Sequence, residues 1–494
     1  MEVHKQAVAK IAAAARQFFS RGEPYRVFHG STNGTRPRPR FANIVDTSPL
    51  SNVLEVDEKA RTALIEPNVP MDRLVASTLK HGLVPPVVME FPGITVGGGF
   101  AGTGGESSSF KYGYFDKTVV SVEMVLADGE VVKASREENS DLFHGAAGAV
   151  GSLGLVTLVE LNLIDAKKYV RTTYHKRKSV RETVDLIQHE ADNNANDYVD
   201  GIIFSKDHGV VITGVMTDEE PDPANVQTFS YPLDPWFYLH VKDKTRPASE
   251  PVIEHIPLPE YLFRYDRGGF WVGESAFHYF MFPFNRLTRW FLDDFLHTRM
   301  LYQALHTSRE SSKFVVQDLA LPFSQTEAFV DYTADKFGIW PLWLCPIRQT
   351  PAPTFHPHVA PTSTETMFLN VGLWGWGPRD HATFVKDNRE LESRLHQDFG
   401  GMKWLYAHTY YTEDEFWRVY DKKPYEALRK KYRAITLPSV YDKVKVDPDA
   451  HVRQEKEEWG AWAVTLWPIG GLWGIRKGIE SGQYLPRCPP WRQT

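Results

Sequence analysis

Residues 93–113 read Gly93-Ile-Thr-Val-Gly-Gly-Gly-Phe-Ala-Gly-Thr-Gly-Gly-Glu-Ser-Ser-Ser-Phe-Lys-Tyr-Gly113, eight glycines and five Ser/Thr hydroxyls in one window. Glycine loses more conformational freedom on folding than any other residue, so this density marks a place where the chain takes positive φ or a ligand approaches the main chain. Successive amide N–H groups flanked by hydroxyls suit a bound pyrophosphate. A surface loop or a tight crossing between strands is the plain alternative, and two other segments argue against it. Asn139-Ser-Asp-Leu-Phe-His-Gly-Ala-Ala-Gly-Ala-Val-Gly-Ser-Leu-Gly-Leu-Val-Thr157 spaces Gly145, Gly148, Gly151 and Gly154 by three and runs into a strand-like stretch at 155–164. His29-Gly-Ser-Thr-Asn-Gly-Thr-Arg36 follows a first helix and a short apolar stretch around 25–28. Three such loops imply one extended nucleotide wrapped by backbone.

Around the window, 52–56, 62–66, 119–126 and 130–134 alternate apolar and polar residues and predict short strands. Asp128-Gly129 predicts a hairpin turn with positive φ at both central positions. Residues 70–80 predict a helix opened by Pro70 and closed at Gly82. The glycine window follows Val84-Pro-Pro-Val-Val88 and lacks the strand, G-x-G-x-x-G and helix order of a Rossmann unit. A second region starts near His175, with a helix over 181–193, paired strands at 198–205 and 209–217, and a loop at 218–235. Strand, helix and strand follow at 314–321, 325–337 and 341–346, then a strand at 366–373 and a helix at 384–399, a βαβ order suited to a lobe that covers a substrate. Most aromatics of 264–300 are expected to fill a core, and 346–364 reads as a proline-rich loop. Thr412-Glu-Asp-Glu415 is a capping box.

With 494 residues the chain accommodates two or three domains. A formal charge of −6 and the lack of a basic stripe exclude an electrostatic nucleic-acid binder. Two cysteines, Cys345 and Cys488, exclude a disulfide framework and point to a reducing compartment. His356 and His358 lack a third ligand nearby, so no metal is expected. Residues 1–21 predict an ordinary amphipathic helix without a signal-peptide core, and no apolar run reaches the roughly 20 residues of a spanning helix. The expected location is the cytoplasm. Residues 459–475, uncharged and carrying Trp459, Trp462, Trp467 and Trp473, suit peripheral contact with the endoplasmic reticulum membrane or, equally, a strap packed on the protein.

Several blocks together resemble a known family: Thr95-Val-Gly-Gly98, Gly102-Thr-Gly-Gly-Glu-Ser-Ser-Ser-Phe-Lys-Tyr-Gly113, Val125-Leu-Ala-Asp-Gly129, Glu138-Asn-Ser-Asp-Leu-Phe143, Ala166-Lys-Lys-Tyr-Val170, Ile212-Thr-Gly-Val-Met-Thr-Asp218, Pro235-Trp-Phe237, Val315-Val-Gln-Asp318, Trp343-Leu-Cys-Pro346, Leu405-Tyr-Ala407 and Glu415-Phe-Trp417. The glycine loops resemble the PCMH-type, vanillyl-alcohol-oxidase-like FAD flavoproteins, and the later blocks resemble the Δ24-sterol reductases among them. The resemblance implies an α+β fold: a PCMH-type FAD-binding domain of two subdomains at 1–172, an α+β substrate or cap domain at 173–400, a segment at 401–445 returning to the FAD lobe, and a Trp-rich tail at 446–494. It also implies noncovalent FAD, because the first loop has no histidine at the flavinylated position and His29 precedes the glycines. FAD contacts are expected from Gly30, Ser31, Thr32, Asn33 and Gly34; from Thr95, Val96, Gly97, Gly98, Gly102, Thr103, Gly104, Gly105, Ser107, Ser108, Ser109, Lys111, Tyr112 and Gly113; and from Gly148, Gly151, Gly154 and Val156.

The implied activity is reduction of a C=C bond in a sterol or terpenoid-like lipid, with NADPH as a transient reductant. An unactivated alkene accepts hydride poorly, so an acid must protonate the other carbon. Tyr406, His408 and Tyr410 are the candidate acids or flavin-orienting groups; if their stretch is a strand, spacing of two puts all three on one face. Asp318 and Glu274 fall in the second lobe, where ion-paired structural roles are favoured over orienting a substrate hydroxyl. Two other readings remain: a flavin oxidase or dehydrogenase of an alcohol or related substrate, and a noncatalytic flavoprotein-like binding protein, against which the intact glycine loops argue. The sequence leaves the oligomeric state open.

Overall fold

The computed structural model describes residues 1–30, 43–307, 313–349, 355–359, 366–446, 469–480 and 491. Helix Glu2–Ser20 buries His4, Val8, Ile11, Ala12 and Ala15 along one face, the i, i+3, i+4 stripe of an amphipathic helix. That face lies on a five-stranded antiparallel sheet in the order Val53–Asp57, Thr62–Ile65, Leu155–Asn162, Val119–Val125, Val131–Ser135. His4 anchors it, its ring nitrogens 2.9 Å from Glu66 and 3.3 Å from Glu123. A smaller parallel pair, Arg26–Phe28 with Ile44–Asp46, stands beside it. In the 125/131 turn only Gly129 has positive φ, +82°, and the Gly129 amide donates to Leu126. The expected two-residue turn is thus a longer loop closed by one left-handed glycine. A Cβ there would lie 2.4 Å from the Ala12 carbonyl oxygen, so the same glycine admits the helix.

Eight antiparallel strands form the second sheet, in the order Val252–Pro257, Tyr169–Arg177, His208–Thr217, Tyr198–Ser205, Leu342–Arg348, Met367–Trp376, Phe314–Leu321, Met402–Lys403. The expected βαβ unit is a split one: strands 314–321 and 342–348 run parallel, with 367–376 between them and antiparallel to both. Helices Val180–Ala191, Phe323–Lys336 and His381–Gln397 contribute Val184, Ile187, Phe329, Leu391 and Leu395 to a core on one face of this sheet. The other face turns toward the lobe that carries the glycine loops. Alternation in 342–348 divides the strand between two cores, Leu342 and Leu344 in the helical one, Trp343, Cys345 and Ile347 in the other. Burial on both faces explains why this strand reads as a continuous apolar run.

Between strands 252–257 and 314–321 the chain forms short helices Leu258–Leu262, Val272–Tyr279 and Arg286–Phe291 and helix Thr298–Thr307. Their aromatics divide: Phe270, Trp271 and Phe277 are buried, whereas Phe282, Trp290 and Phe291 are exposed, as is Met281. Beyond the second sheet, helices Glu413–Val419, Lys422–Lys431 and Val440–Val444 pack against the glycine loop at 150–152. Thr412 caps the first through the expected capping box, Arg429 donates to the Ser152 carbonyl at 3.0 Å, and Lys443 donates to those of Val150 and Gly151 at 2.7 and 3.0 Å. Residues 459–468 and Cys488 lie outside the described residues. Residues 469–480 form a helix whose Gly471 and Gly478 pack against Tyr279, Phe280 and Met300.

Candidate functional site

A cavity of about 610 Å³ lies between the two sheets. One wall is backbone: Thr95, Gly97, Gly98, Gly99, Gly102, Gly104 and Gly105, continued by Val150, Gly151, Gly154, Leu155 and Val156. The facing wall is side chain: Phe270, Tyr302, Asp318, Trp343, Asn370, Trp374, Trp404 and Tyr406. Arg26, His29 and Lys443 also line it.

The backbone wall begins with a six-residue helix, Val96–Ala101, capped by Thr95 Oγ1, which accepts from the Gly98 amide at 3.2 Å. The amides expected to face a pyrophosphate are engaged internally: Val96 with Val69, Gly97 with Pro67, Gly99 with Thr95, Gly102 with Gly98 and Gly104 with Gly99, all at 2.8 to 3.0 Å. Packing accounts for part of the glycine content, since a Cβ on Gly104 would sit 2.9 Å from Met89 Sδ. Gly98 differs. Its Cβ would meet only Thr95 Oγ1 within 3.4 Å, so the space above it belongs to the cavity.

Other expected FAD contacts lie off the wall. Val96 is core, and Thr103 donates to Gly102 at 2.7 Å. Ser107 donates to Glu106, Ser108 to Pro86, and Ser109 Oγ accepts from the Glu106 amide. The hydroxyls thus hold the loop's own shape. Lys111 pairs with Asp197 at 3.0 Å, Tyr112 is half-buried beside it, and Gly113 ends the short helix Ser109–Tyr112 at φ +76°. Gly148, at φ +77°, packs against Thr103. Gly30 is exposed after strand Arg26–Phe28, and Ser31, Thr32, Asn33 and Gly34 lie outside the described residues.

Residues 404–411 do not form a strand. Pairing ends at Lys403; the Trp404 amide then donates to Asp318 and the Ala407 amide to Trp404, which turns the chain. The three candidates therefore share no face. Tyr406 enters the cavity. The His408 carbonyl accepts from Gln317 Nε2 at 3.2 Å and from the buried Lys403 ammonium. Tyr410 packs on Phe384 in the helical core, its amide held by Glu392.

Tyr406 donates its phenolic hydrogen to Asp318 Oδ2. Strand alternation puts Phe314, Val316 and Asp318 on the cavity wall and Val315 and Leu319 in the other core. Asn370 Nδ2 donates to Asp318 Oδ1 at 3.0 Å, and Trp374 Nε1 to Oδ2 at 3.2 Å. Gly372, opposite Asp318 in the ladder, lies under the Trp374 ring, and its bare backbone lets the indole reach across. Burial pushes the Asp318 carboxyl up to about 6, against the lowering effect of its three donors. Burial, then the Asp318 charge, raises the Tyr406 phenol well above its usual range. The sequence reading set Asp318 aside; the available signal was a lone carboxylate inside the apolar run Phe314-Val-Val-Gln-Asp-Leu-Ala-Leu321, where an unpaired charge would be costly. Trp343, Asn370 and Trp374 had no such local signal.

Residues 3–135 match the FAD binding domain family. Delta(24)-sterol reductase of Homo sapiens is 32% identical over 400 residues, covering 80% of this chain and 76% of that protein. The chain belongs to the Δ24-sterol reductase family. It is an FAD-dependent oxidoreductase of α+β fold. Another family member, Delta(24)-sterol reductase of Pisum sativum, is 30% identical over 446 residues, covering 81% of this chain and 76% of that protein. Cytokinin dehydrogenase 4 of Oryza sativa is 30% identical over 155 residues, 31% of this chain and 29% of that protein. The cavity fits the family's cofactor: its glycine wall admits close backbone approach, and the side-chain wall offers aromatic faces, with Trp343 and Trp374 inclined at 28° and Phe270 4.5 Å from Trp374 between ring centroids.

Proposed function

We propose that the protein reduces an isolated C=C bond of a sterol or related terpenoid-like lipid, with NADPH reducing the bound FAD. Support comes from the family relation together with the Tyr406–Asp318 pair, which faces the glycine wall across the cavity. FAD supplies the hydride chemistry. The protein supplies the proton. While Asp318 is ionised, the Tyr406 hydrogen points at the carboxylate and is held away from substrate. When Asp318 carries a proton, it donates to the Tyr406 oxygen and the phenolic hydrogen turns to the cavity. Transfer of that hydrogen to one alkene carbon and of the Asp318 proton to the Tyr406 oxygen leaves an Asp318 carboxylate held by Asn370 and Trp374. No tyrosinate then stands beside a buried carboxylate, the arrangement that the raised phenol disfavours.

NADPH is read as a transient visitor to the same cavity. The test is an anaerobic titration of purified holoenzyme with NADPH and then a Δ24 sterol, following oxidised-flavin absorbance. Bleaching by NADPH and sterol-dependent recovery is the expected result. A flavin that NADPH leaves oxidised and an alcohol bleaches would transfer the protein to the oxidase or dehydrogenase reading.

A lipid substrate also agrees with the surface next to the cavity. Helix Thr298–Thr307 presents Thr298, Leu301, Tyr302 and Leu305 to the cavity, while its Met300 packs on helix Ile469–Glu480. Beside this pair Met281 and Phe291 are 72% and 73% exposed, with Leu287, Trp290, Leu472 and Trp473 also exposed. Arg286, next to Leu287 in sequence, donates to the Leu233 carbonyl at 3.3 Å, and Arg476 pairs with Glu480 at 3.0 Å. An apolar and aromatic rim of this kind suits a bilayer interface, through which a sterol would reach the cavity. Among the described residues no helix is long and apolar enough to cross a membrane. Co-sedimentation with phosphatidylserine-containing vesicles, lost on Trp290→Glu/Phe291→Glu, is expected; wild-type sedimentation by that variant rejects this rim.

A further inference from the structure

Four neighbouring strands of the second sheet each supply one member of a row: Asp200 from 198–205, Trp343 from 342–348, Trp374 from 367–376 and Asp318 from 314–321. The row is continuous. Trp343 Nε1 donates to Asp200 Oδ2 at 3.1 Å, the Trp343 and Trp374 rings lie 6.0 Å apart between centroids, and Trp374 Nε1 donates to Asp318 Oδ2 at 3.2 Å. Gly372 is the ladder partner of both Trp343 and Asp318, and the Trp374 ring lies over it, so the indoles meet across a residue without a side chain. The two ends differ. Asp200 and Arg264 are fully buried and paired at 2.9 Å, and Tyr265 donates its phenolic hydrogen to the same Asp200 oxygen at 2.8 Å. At the other end no ion pair reaches Asp318 among the described residues, and its donors are Asn370, Trp374 and Tyr406. A carboxylate matched by a guanidinium is a fixed point, whereas one held by neutral donors can take up a proton.

Asp200 reaches Trp374 by a second route. Tyr265 stacks on Phe270 at 4.0 Å and 21°, and Phe270 lies 4.5 Å from Trp374. Phe270 holds φ +57°, which a bulky residue keeps only where its surroundings enforce it, and its amide donates to the Tyr265 carbonyl at 3.1 Å. Two of the rings that flank Trp374 are thus tied to one carboxylate oxygen. Trp271 donates to the Trp374 carbonyl at 3.0 Å and so holds the backbone.

We propose that Asp200 is a positioning residue for the proton-donating pair: by fixing Trp343 directly and Phe270 through Tyr265, it holds the Trp374 indole where Nε1 donates to Asp318. An N–H donor stabilises the ionised carboxylate, so the alignment of this bond sets how readily Asp318 takes a proton. Trp374 is one of the donors that oppose the rise caused by burial. Asp318 also acts on Tyr406 and on Tyr302 of helix Thr298–Thr307, and Glu90, Arg26, His29 and Lys443 line the same cavity; all stay in place in the variants below. The part of the row in the reaction rests on the reading proposed above; its effect on Asp318 does not.

The test is an infrared pH titration of the oxidised holoenzyme without NADPH or sterol, so its failure is distinct from failure of the reductase reading. The protonated-carboxyl band lost on Asp318→Asn identifies Asp318, with a midpoint expected near pH 6 in wild type. Trp374→Phe removes the donor and is expected to raise that midpoint by about one pH unit or more, a tenfold gain in proton affinity. Two double variants separate position from charge, since both remove the buried ion pair. Asp200→Asn/Arg264→Met keeps an acceptor for Trp343 and should stay within about half a unit of wild type, whereas Asp200→Leu/Arg264→Met removes the acceptor and should rise by about one unit. Should the latter fail to fold, Trp343→Phe keeps the ion pair and a ring but loses the N–H, and is expected to give the same rise. Equal midpoints in the two double variants would overturn the proposal: a common rise would assign the effect to charge, and no rise would leave Trp374 independent of Asp200. An unmoved midpoint in Trp374→Phe would overturn it too, as would an Asp318 band that does not titrate in wild type.

Discussion

The two walls of the cavity are built on opposite principles. The glycine wall acts by what it lacks: it offers bare backbone, and its own amides and hydroxyls are largely spent on holding the loop. The facing wall acts by what it carries, a carboxylate, a phenol, an amide and indoles placed by strand alternation. One wall is suited to hold a cofactor close, and the other to hold a proton against it.

Tyr406→Phe should break the division most sharply. With the acid removed and the glycine wall intact, FAD content and NADPH bleaching should persist, while sterol-dependent reoxidation falls about a hundred- to ten-thousandfold; a loss smaller than tenfold would take the proton role from Tyr406. On the other wall, Gly98→Val and Gly104→Val should fail differently. The Gly98 variant should melt like wild type and lose FAD, since its side chain enters the cavity. The Gly104 variant should lose about 1–3 kcal/mol of stability by overpacking Met89. Normal flavin content in the Gly98 variant would mean that the backbone there is not the contact surface.

The pH profile tests the acid wall alone. Because burial raises Asp318 to about 6, its proton-bearing form prevails below that value and declines as pH rises through it. Single-turnover reoxidation by sterol should therefore be fast at pH 5 and fall about tenfold per unit above 6. Asp318→Asn should be slow and flat over the same range; a variant that keeps the wild-type pH step would assign that step elsewhere. The smallest effect is expected at Lys111→Ala. Its pair with Asp197 is partly exposed, so stability should change by less than about 1 kcal/mol, and FAD content should stay constant. Reduced flavin in this variant would restore the expectation that Lys111 touches the cofactor.

The backbone wall was legible because glycine is informative by itself: Thr95, Gly97, Gly98, Gly102, Gly104, Gly105, Gly151, Gly154 and Val156 all reach the cavity. The neighbouring serines were misleading, since a hydroxyl that shapes a loop and one that binds phosphate look alike in sequence. The acid wall was harder. Asp318, Asn370 and Trp374 come from two strands, and Tyr406 from a turn, so their meeting depends on a register fixed by Gly372 and by the end of pairing at Lys403. Tyr406 reaches the cavity through a turn, so the spacing of two that would align it with His408 and Tyr410 on a strand does not apply. The outer elements were clearer, because helices 180–191 and 381–397 show one-sided apolar periodicity whatever their partners.

Lys443 and Arg429 hold the carbonyls of Val150, Gly151 and Ser152, nearly three hundred residues upstream. During synthesis, the third glycine loop therefore waits for the last sixth of the chain before its clamp exists. Such distant closure is slow to form, and it makes capture of the cofactor a late event in the life of the polypeptide: a nascent chain ending at residue 400 would expose the glycine loops without the helices that brace them.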